Sequence, residues 1–388
     1  MLNSFEKNIL ALVKSSLDGT VPKISEGLDL EVVYDFSQKM QMTPLLYYGI
    51  EKIPGAFDTM AGKKFFKSLI SYSYICQLQN DEIKKVLSGF DAQGIDYLPL
   101  KGVSLRGLYP HMEMRLMSDA DILIKPKQYK KIKSVMLENG YKKAVESDHE
   151  YVWEKKNIHI ELHKRLVPSY QKDYNAYFGD GWRFAHLDKN GGSAYSMTKE
   201  DELIYVFSHY AKHYRDAGVG IKHVLDIFVY LKTYKNLDVE YIEKELEKLQ
   251  LLEFWKNTIK LLDVWFNNAE CDEVSAFMTH KIFSGAAYGT SEAFATSRGV
   301  MMSKTTKNVK QKSFLTSVFP SYSNMKQAHK YLKPLPFLLP FSWVIRWVAI
   351  ILNPKRIKRK KKNLDRISSQ NLEKYQSELN YVGLDYNF

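Results

Sequence analysis

The chain has 388 residues, with 56 lysines and arginines against 44 aspartates and glutamates, a formal net charge of +12. A hydrophobic content of 45% beside 26% charged residues excludes a wholly disordered chain and leaves enough apolar side chains for a core. Twelve prolines and 20 glycines exclude a collagen-like chain, and two cysteines exclude a disulfide scaffold or a cysteine-based zinc site.

Residues 1–90 carry apolar side chains at helical spacing, which predicts an N-terminal helical region. Within residues 1–19, Glu6, Lys7 and Lys14 interrupt every apolar run. We therefore predict an amphipathic helix of a folded domain here, not an export signal, and a cytoplasmic protein.

The pattern changes in residues 91–195, where we predict a compact α+β core. Ile95–Leu100 and Asp119–Ile124 have the patterns of strands, with a short helix predicted between them at Val103–Leu108. A helix predicted at Tyr129–Asn139 is followed by three further strand patterns. These lie at Tyr141–Val145, Glu150–Glu154 and Ile158–Leu162. A strand, helix, strand, helix order followed by consecutive strands is typical of an α+β domain.

Helical periodicity returns in residues 196–290, which we predict to be a helical domain whose first helix is capped by Thr198. Ser284–Ser313 is small, polar and basic, so we predict a loop or linker there. Residues 291–388 are predicted to be a basic C-terminal tail.

The excess positive charge is confined to that tail. Residues 293–364 contain sixteen lysines and arginines and no acidic residue, whereas the remaining residues carry 40 basic against 44 acidic side chains. The chain as a whole is therefore not a basic protein of the nucleic-acid-binding kind.

Residues 335–352 are apolar and precede the polybasic run 355–362. Two prolines and an arginine inside the apolar segment make a full bilayer crossing unfavourable. Trp343 and Trp347 lie four residues apart, on the helical face where interfacial aromatic residues would sit. We expect residues 335–362 to associate in plane with an anionic membrane, placing the protein peripherally on the inner membrane face. Two alternatives stay open. In the first, the apolar part packs on the folded domain and the basic run is a solvated tail. In the second, which is less favoured, the segment binds nucleic acid.

Two acidic residues stand two apart in a predicted strand, so the carboxylates of Asp119 and Asp121 point to one face. Such a pair can hold a divalent cation, and oxygen ligands favour Mg²⁺. Glu161, on a later predicted strand, is a candidate third carboxylate that binds a second metal ion and activates a hydroxyl. The alternative for each is an exposed strand face with ordinary acidic residues.

Basic residues and a glycine accompany these acids. Lys101 and Gly102 lie at a strand-to-helix junction that can receive phosphate, and Arg115 can neutralise phosphate charge. His163 follows Glu161 on the same strand face. Together these residues imply phosphoryl transfer with two metal ions about 3.5–4 Å apart.

Leu100–Leu123 resembles the signature of an uncharacterised bacterial nucleotidyltransferase family within the DNA polymerase beta-like superfamily. The resemblance consists of Leu-Lys-Gly, then Leu-Tyr-Pro, then an arginine before Asp-x-Asp, and later the Glu-Leu-His of residues 161–163. It continues with a helical His-x-x-x-His, a basic residue and an aspartate. In this chain these are His209, His213, Lys222 and Asp226. The resemblance spans roughly residues 30–270.

This resemblance implies a polymerase-beta-like nucleotidyltransferase core, a mixed sheet with flanking helices, between N-terminal helices and a C-terminal helical domain. It implies that Asp119, Asp121 and Glu161 bind metal, with Mg²⁺ as the cofactor and a nucleoside triphosphate as substrate. Lys101 and Gly102 stand where the wider superfamily has Gly-Ser to hold the nucleotide phosphates, which is a departure. The resemblance implies no particular acceptor.

His209 and His213 are one helical turn apart and could be zinc ligands, but no HExxH motif is present and the sequence shows no third ligand. We interpret them as a polar face towards the nucleotide, with a core or structural role as the alternative. The residues predicted to bind nucleotide are Lys101, Gly102, Arg115, His163, His209, His213 and Lys222.

The sequence therefore predicts a Mg-dependent enzyme that moves a nucleoside monophosphate from a nucleoside triphosphate to an unknown hydroxyl acceptor. A membrane-associated tail slightly favours a lipid-linked or cell-envelope glycan as that acceptor. Two alternatives are a catalytically inactive nucleotide- or partner-binding protein at the membrane surface, and a toxin-like transferase acting on RNA or protein.

Overall fold

The predicted strands pair into one sheet in the computed structural model, which describes residues 1–25, 27–188, 192–287, 289–303, 309–353, 358 and 368–385. The strands are β1 (Tyr97–Pro99), β2 (Ala120–Ile124), β3 (Lys142–Glu146), β4 (Glu150–Lys155) and β5 (Ile158–His163). They lie in the order β1-β2-β5-β4-β3. The β2–β5 pair is parallel and the other pairs are antiparallel, so the sheet is mixed. The predicted α+β class, a mixed sheet with flanking helices, is confirmed.

Helices precede, interrupt and follow the sheet. The first are α1 (Ser4–Asp18), α2 (Leu30–Met40), α3 (Thr43–Ile50), α4 (Met60–Ala92), α5 (Gly102–Leu105), α6 (Tyr129–Glu138) and α7 (Lys172–Phe178). A short hairpin, β6 (His186–Leu187) and β7 (Tyr195–Ser196), leads to the second group. That group is α8 (Lys199–Asp216), α9 (Ile221–Thr233), α10 (Val239–Lys248), α11 (Leu252–Phe266) and α12 (Glu273–Ser284). The C-terminal helices are α13 (Ser291–Ser303), α14 (Val309–Val318), α15 (Tyr322–Ala328), α16 (Leu339–Ile351) and α17 (Ser369–Tyr381).

The alternation of side chains along β2 and β5 gives the two sheet faces different roles. Ile122 and Ile160 point to one face, where they pack in a hydrophobic core with residues of α4 and α6. Asp121, Glu161 and His163 point to the other face, towards α8. The polar residues of these strands therefore meet on one side of the sheet.

Helix α8, which covers that polar face, starts where the sequence predicts. The Thr198 hydroxyl accepts a hydrogen bond from the backbone N–H of Asp201 at 3.1 Å, a typical N-cap contact. Gly218, in the left-handed region at φ +81°, helps to turn the chain into α9. Both helices thereby lie beside the cavity over the sheet.

A second and larger hydrophobic core joins distant parts of the chain. It contains buried residues of α1, α2 and α3 together with residues of α8 to α12 and of α17. The N-terminal and later helices therefore stabilise one another. The division at residues 90, 195 and 290 stays a prediction.

The prediction of a loop or linker at Ser284–Ser313 was wrong. Much of it is helical, as α13 and the start of α14. Val300 is 1% exposed and packs in the large core, although its neighbours are mostly small and polar. Tertiary burial of a few apolar side chains thus stabilises a helix in a segment whose small, polar and basic residues suggested a loop.

Among the described residues, no helix is both long enough and apolar enough to span a bilayer. Trp343 and Trp347 of α16 donate hydrogen bonds to the carbonyls of Pro320 and Val318, at 3.0 and 2.7 Å, and pack edge-on against Phe319. These indoles contact the end of α14 and the segment between α14 and α15, and their predicted place at a membrane interface stays a prediction. The opposite side of α16 exposes apolar residues, namely Phe341, Val344, Ile345, Val348 and Ile351. In the run 355–362, only Lys358 lies within the described residues.

Candidate active site

All ten residues predicted from the sequence as site residues line one cavity of about 240 Å³, between the sheet and helices α8 and α9. They are Lys101, Gly102, Arg115, Asp119, Asp121, Glu161, His163, His209, His213 and Lys222. Their contacts within the cavity differ widely, and these contacts determine what each side chain can do.

Lys101 and Gly102 form a tight junction between β1 and α5. Lys101 has φ +44° and ψ −111°, a conformation that costs a non-glycine residue about 1–3 kcal/mol. A Cβ atom on Gly102 would lie 2.6 Å from the sulfur of Met117 and 2.9 Å from the guanidinium of Arg115, so a larger residue there would displace the ends of these two side chains. The strained junction directs the Lys101 side chain onto Asp121 of β2.

Asp121 is the most tightly held of the acids. One of its oxygens, Oδ1, accepts a hydrogen bond from the Lys101 ammonium at 2.9 Å and lies 2.7 Å from Nε2 of His163. Burial alone would raise the pKa of Asp121, but the Lys101 charge and the His163 hydrogen bond lower it below its usual value. Asp121 is therefore ionised, and since no described residue forms a hydrogen bond with its second oxygen, that oxygen can take another ligand.

Glu161 stands directly opposite Asp121 in the parallel pair of β2 and β5. Its Oε2 lies 3.7 Å from Nε2 of His163. Burial, followed by the negative charges of Asp119, Glu150 and Asp121, raises the pKa of Glu161 to about 8. The protein thus holds a crowded group of acids whose repulsion is only partly neutralised.

The carboxylates fit a divalent cation. Donor atoms of Asp121, Glu161 and His163 lie within 4.8 Å of one another, and oxygen donors suit Mg²⁺. Asp119, one residue before β2, lines the same cavity but belongs to no such close group among the described residues. Burial and the Asp121 charge raise the pKa of Asp119, so a cation would relieve repulsion at this residue as well.

Arg115, predicted to neutralise phosphate, lines the cavity and contacts a carboxylate of α9. Its Nε and Nη2 donate to Oδ1 and Oδ2 of Asp226 at 2.9 and 2.8 Å, and the Tyr109 hydroxyl donates to Oδ1 at 2.9 Å. This buried pair joins the segment before β2 to α9. Lys222, also on α9, contributes a positive charge that lowers the pKa of Asp119, against the larger effects of burial and Asp121.

His209 and His213 face each other across one turn of α8, with their Nε2 atoms 3.0 Å apart. A third imidazole, His223 of α9, brings a nitrogen donor within 4.8 Å of both. The sequence reasoning missed His223 because helical spacing links residues within one helix, whereas this residue comes from the next. The only local sign that His223 could belong to the site was its position next to the predicted site residue Lys222.

Two further charged residues of the cavity were not predicted. Lys212 lies on α8 between the two histidines, and burial together with the Lys101 charge lowers its pKa to about 8. Glu150 of β4 lies opposite His163 in the sheet register. Lys212 could have been predicted from its helical spacing to His209. The place of Glu150 in the site could not, because it depends on how β4 pairs with β5.

A family model described as an uncharacterised nucleotidyltransferase matches residues 26–267 of the chain. The chain is also similar to the solution structure of the antibiotic-resistance factor ANT(2″)-Ia, with 13% sequence identity and a TM-score of 0.31. That match covers 44% of this chain and 89% of the other. No curated protein matches the chain.

Proposed function

The chain belongs to the uncharacterised nucleotidyltransferase family, as its sequence motifs predicted, and on that basis we propose that it moves a nucleoside monophosphate to a hydroxyl acceptor. A nucleoside triphosphate is the donor and Mg²⁺ the cofactor. One observation carries the proposal: Asp121 and Glu161 lie opposite each other on parallel strands, beside a cavity lined by lysines.

In this mechanism, Asp119, Asp121 and Glu161 would hold Mg²⁺, which when bound would neutralise charge on the phosphates. An oxygen of the acceptor attacks the α-phosphorus, a new P–O bond forms, and the bond to pyrophosphate breaks. Ionised Glu161 accepts the proton of the acceptor hydroxyl. Without a cation, burial and the neighbouring acids raise the pKa of Glu161, and a bound Mg²⁺ would favour the ionised carboxylate that accepts this proton.

The basic residues of the cavity complete the donor site. Lys101 and Lys212 supply positive charge from opposite walls, and burial strengthens their attraction for phosphate. Lys101 holds Asp121 before nucleotide arrives, so the same ammonium can shift from carboxylate to phosphate. His163 positions Asp121 through its 2.7 Å hydrogen bond.

The test combines binding and turnover. Purified full-length protein is incubated with Mg²⁺ and each of the four α-labelled nucleoside triphosphates, with a cell extract as the source of acceptor. We expect label transfer and pyrophosphate release from one or more nucleotides. Asp121→Asn and Glu161→Gln should abolish both. Glu154→Gln, on the exposed part of β4, is the matched control and should retain wild-type activity.

The same experiment distinguishes the alternative functions. Nucleotide binding without pyrophosphate release would indicate a catalytically inactive binding protein. The ion pair between Lys101 and Asp121 supports this alternative, because the Lys101 ammonium occupies a carboxylate oxygen of Asp121 that a metal ion would need. Label recovered on RNA or protein would indicate a toxin-like transferase. Absence of nucleotide binding would refute the nucleotidyltransferase proposal for this chain.

We further propose that residues 335–362 attach the protein to an anionic membrane surface. The exposed side of α16 carries a row of apolar residues, including Val344 and Val348. Basic residues of the tail would favour anionic lipid, with about 1 kcal/mol for each lysine or arginine near the surface. The acceptor would then be membrane-linked.

A further inference from the structure

We infer that His209, His213 and His223 bind one zinc ion, at a site chemically different from the carboxylate group. His209 and His213 come from α8, and His223 comes from the first turn of α9. One nitrogen of each ring lies within 4.8 Å of the others. Imidazole nitrogens are typical zinc ligands, whereas the oxygen donors across the cavity suit Mg²⁺.

The separations suit one shared ion. Zinc–nitrogen distances of about 2.0–2.1 Å in a tetrahedral site place two ligand nitrogens roughly 3.3 Å apart. The Nε2 atoms of His209 and His213 are already 3.0 Å apart. The His223 ring centroid lies 5.4 Å from that of His213 and 6.1 Å from that of His209. To share one ion, the three nitrogens would move from separations of at most 4.8 Å to about 3.3 Å.

The three rings are available as neutral ligands. Burial, followed by neighbouring positive charges, lowers the pKa of each histidine, so the lone pairs needed for metal binding are present at neutral pH. The Gly220 carbonyl interacts with the His223 ring, but no hydrogen bond of ordinary geometry forms at its buried Nδ1 among the described residues. A bound ion would give this side chain a defined role.

Three histidines leave a fourth position on the ion open, as in catalytic zinc sites. All three rings line the cavity that also contains Glu161. Lys212 lines it too, and its positive charge disfavours a bare dication but favours a zinc ion that carries an anionic oxygen. We therefore assign a phosphate, carboxylate or hydroxide oxygen to the open position.

The site can be tested without nucleotide or Mg²⁺. Full-length protein purified without a histidine tag is stripped with a chelator and titrated with Zn²⁺, with affinity measured by competition against a chromophoric chelator. We expect one tight zinc per chain. His213→Ala and His223→Ala should each weaken binding by at least about 100-fold. His159→Ala, at a half-buried histidine of β5, is the matched control and should bind like the wild type.

The Asp121→Asn variant tests whether zinc binds at the histidines or at the carboxylate group. We expect it to leave the zinc affinity unchanged. Zinc binding that is lost in Asp121→Asn but retained in His213→Ala would overturn the inference, as would absence of tight zinc binding in the wild type. X-ray absorption of the zinc-loaded wild type provides a check that does not depend on variants folding. Imidazole scattering from three rings would support the site, and a shell of oxygen ligands alone would refute it.

Discussion

Arg115 and Asp226, 111 residues apart, form a buried pair with two parallel hydrogen bonds, at 2.9 and 2.8 Å. Arg115 precedes β2, which carries Asp121, and Asp226 belongs to α9, which carries His223. The pair therefore fixes the distance between the carboxylate side and the histidine side of the cavity. Tyr109 adds a third hydrogen bond to the same carboxylate.

Removing the carboxylate of this pair should destabilise the fold. Asp226→Ala leaves the buried Arg115 guanidinium without its main partner, and we expect the free energy of unfolding to fall by about 3–5 kcal/mol. Urea denaturation measures the loss. Glu31→Ala, which breaks the exposed pair with Lys64, is the control and should unfold near the wild-type urea concentration. Equal midpoints for the two variants would contradict a structural role for the pair.

Stability without divalent cations should depend on pH through Glu161. Its pKa is raised from 4.5 to about 8, so between these values the folded protein keeps a proton that the unfolded chain has lost. Raising the pH through this window therefore favours unfolding, and the free energy of unfolding should fall. Glu161→Gln should flatten this decrease, measured by urea denaturation in a chelator from pH 5 to 8. Glu154→Gln should keep the wild-type slope, and an equally steep slope for Glu161→Gln would contradict the assignment.

Lys101 should compete with the metal ion for Asp121. Lys101→Met removes the ammonium 2.9 Å from Oδ1, so Mn²⁺ alone, an oxygen-preferring probe, should bind at least several-fold more tightly. Nucleotide binding should weaken, because a cation that attracts phosphate is lost. Electron paramagnetic resonance of free Mn²⁺ measures the affinity. Lys155→Met removes a lysine paired with Glu82 and should not change it. Weaker Mn²⁺ binding by Lys101→Met would argue against competition.

The exposed side of α16 should determine membrane binding. Val348→Glu places a charge where we expect apolar contact with lipid, and loss of one buried valine costs about 1.5 kcal/mol, or roughly tenfold in partitioning. Cosedimentation with vesicles, with and without phosphatidylserine, measures the effect. Val32→Glu is closely matched, because both valines are 50% exposed, and should bind like the wild type. Equal losses of vesicle binding in Val348→Glu and Val32→Glu, or no vesicle binding by the wild type, would exclude the proposal.

The sequence by itself determined the five strands of the main sheet and the helical character of the regions on either side of it up to residue 284, and it named ten side chains that line the cavity. Strand alternation and helical spacing are local properties, so they correctly placed Asp121 and Glu161 on predicted strands and His209 with His213 on one helical face. Burial of single residues was less predictable. Val300 stabilises α13 through a distant core, and local composition contains no sign of that contact.

The tertiary structure alone decided which of these local features meet. Parallel pairing set Asp121 opposite Glu161, and packing of α9 on α8 brought His223 to the two histidines that precede it. Packing also paired Arg115 with Asp226 and placed the Trp343 indole against the Pro320 carbonyl. Such contacts depend on how whole elements bury their surfaces against one another, and no short stretch of sequence contains that information.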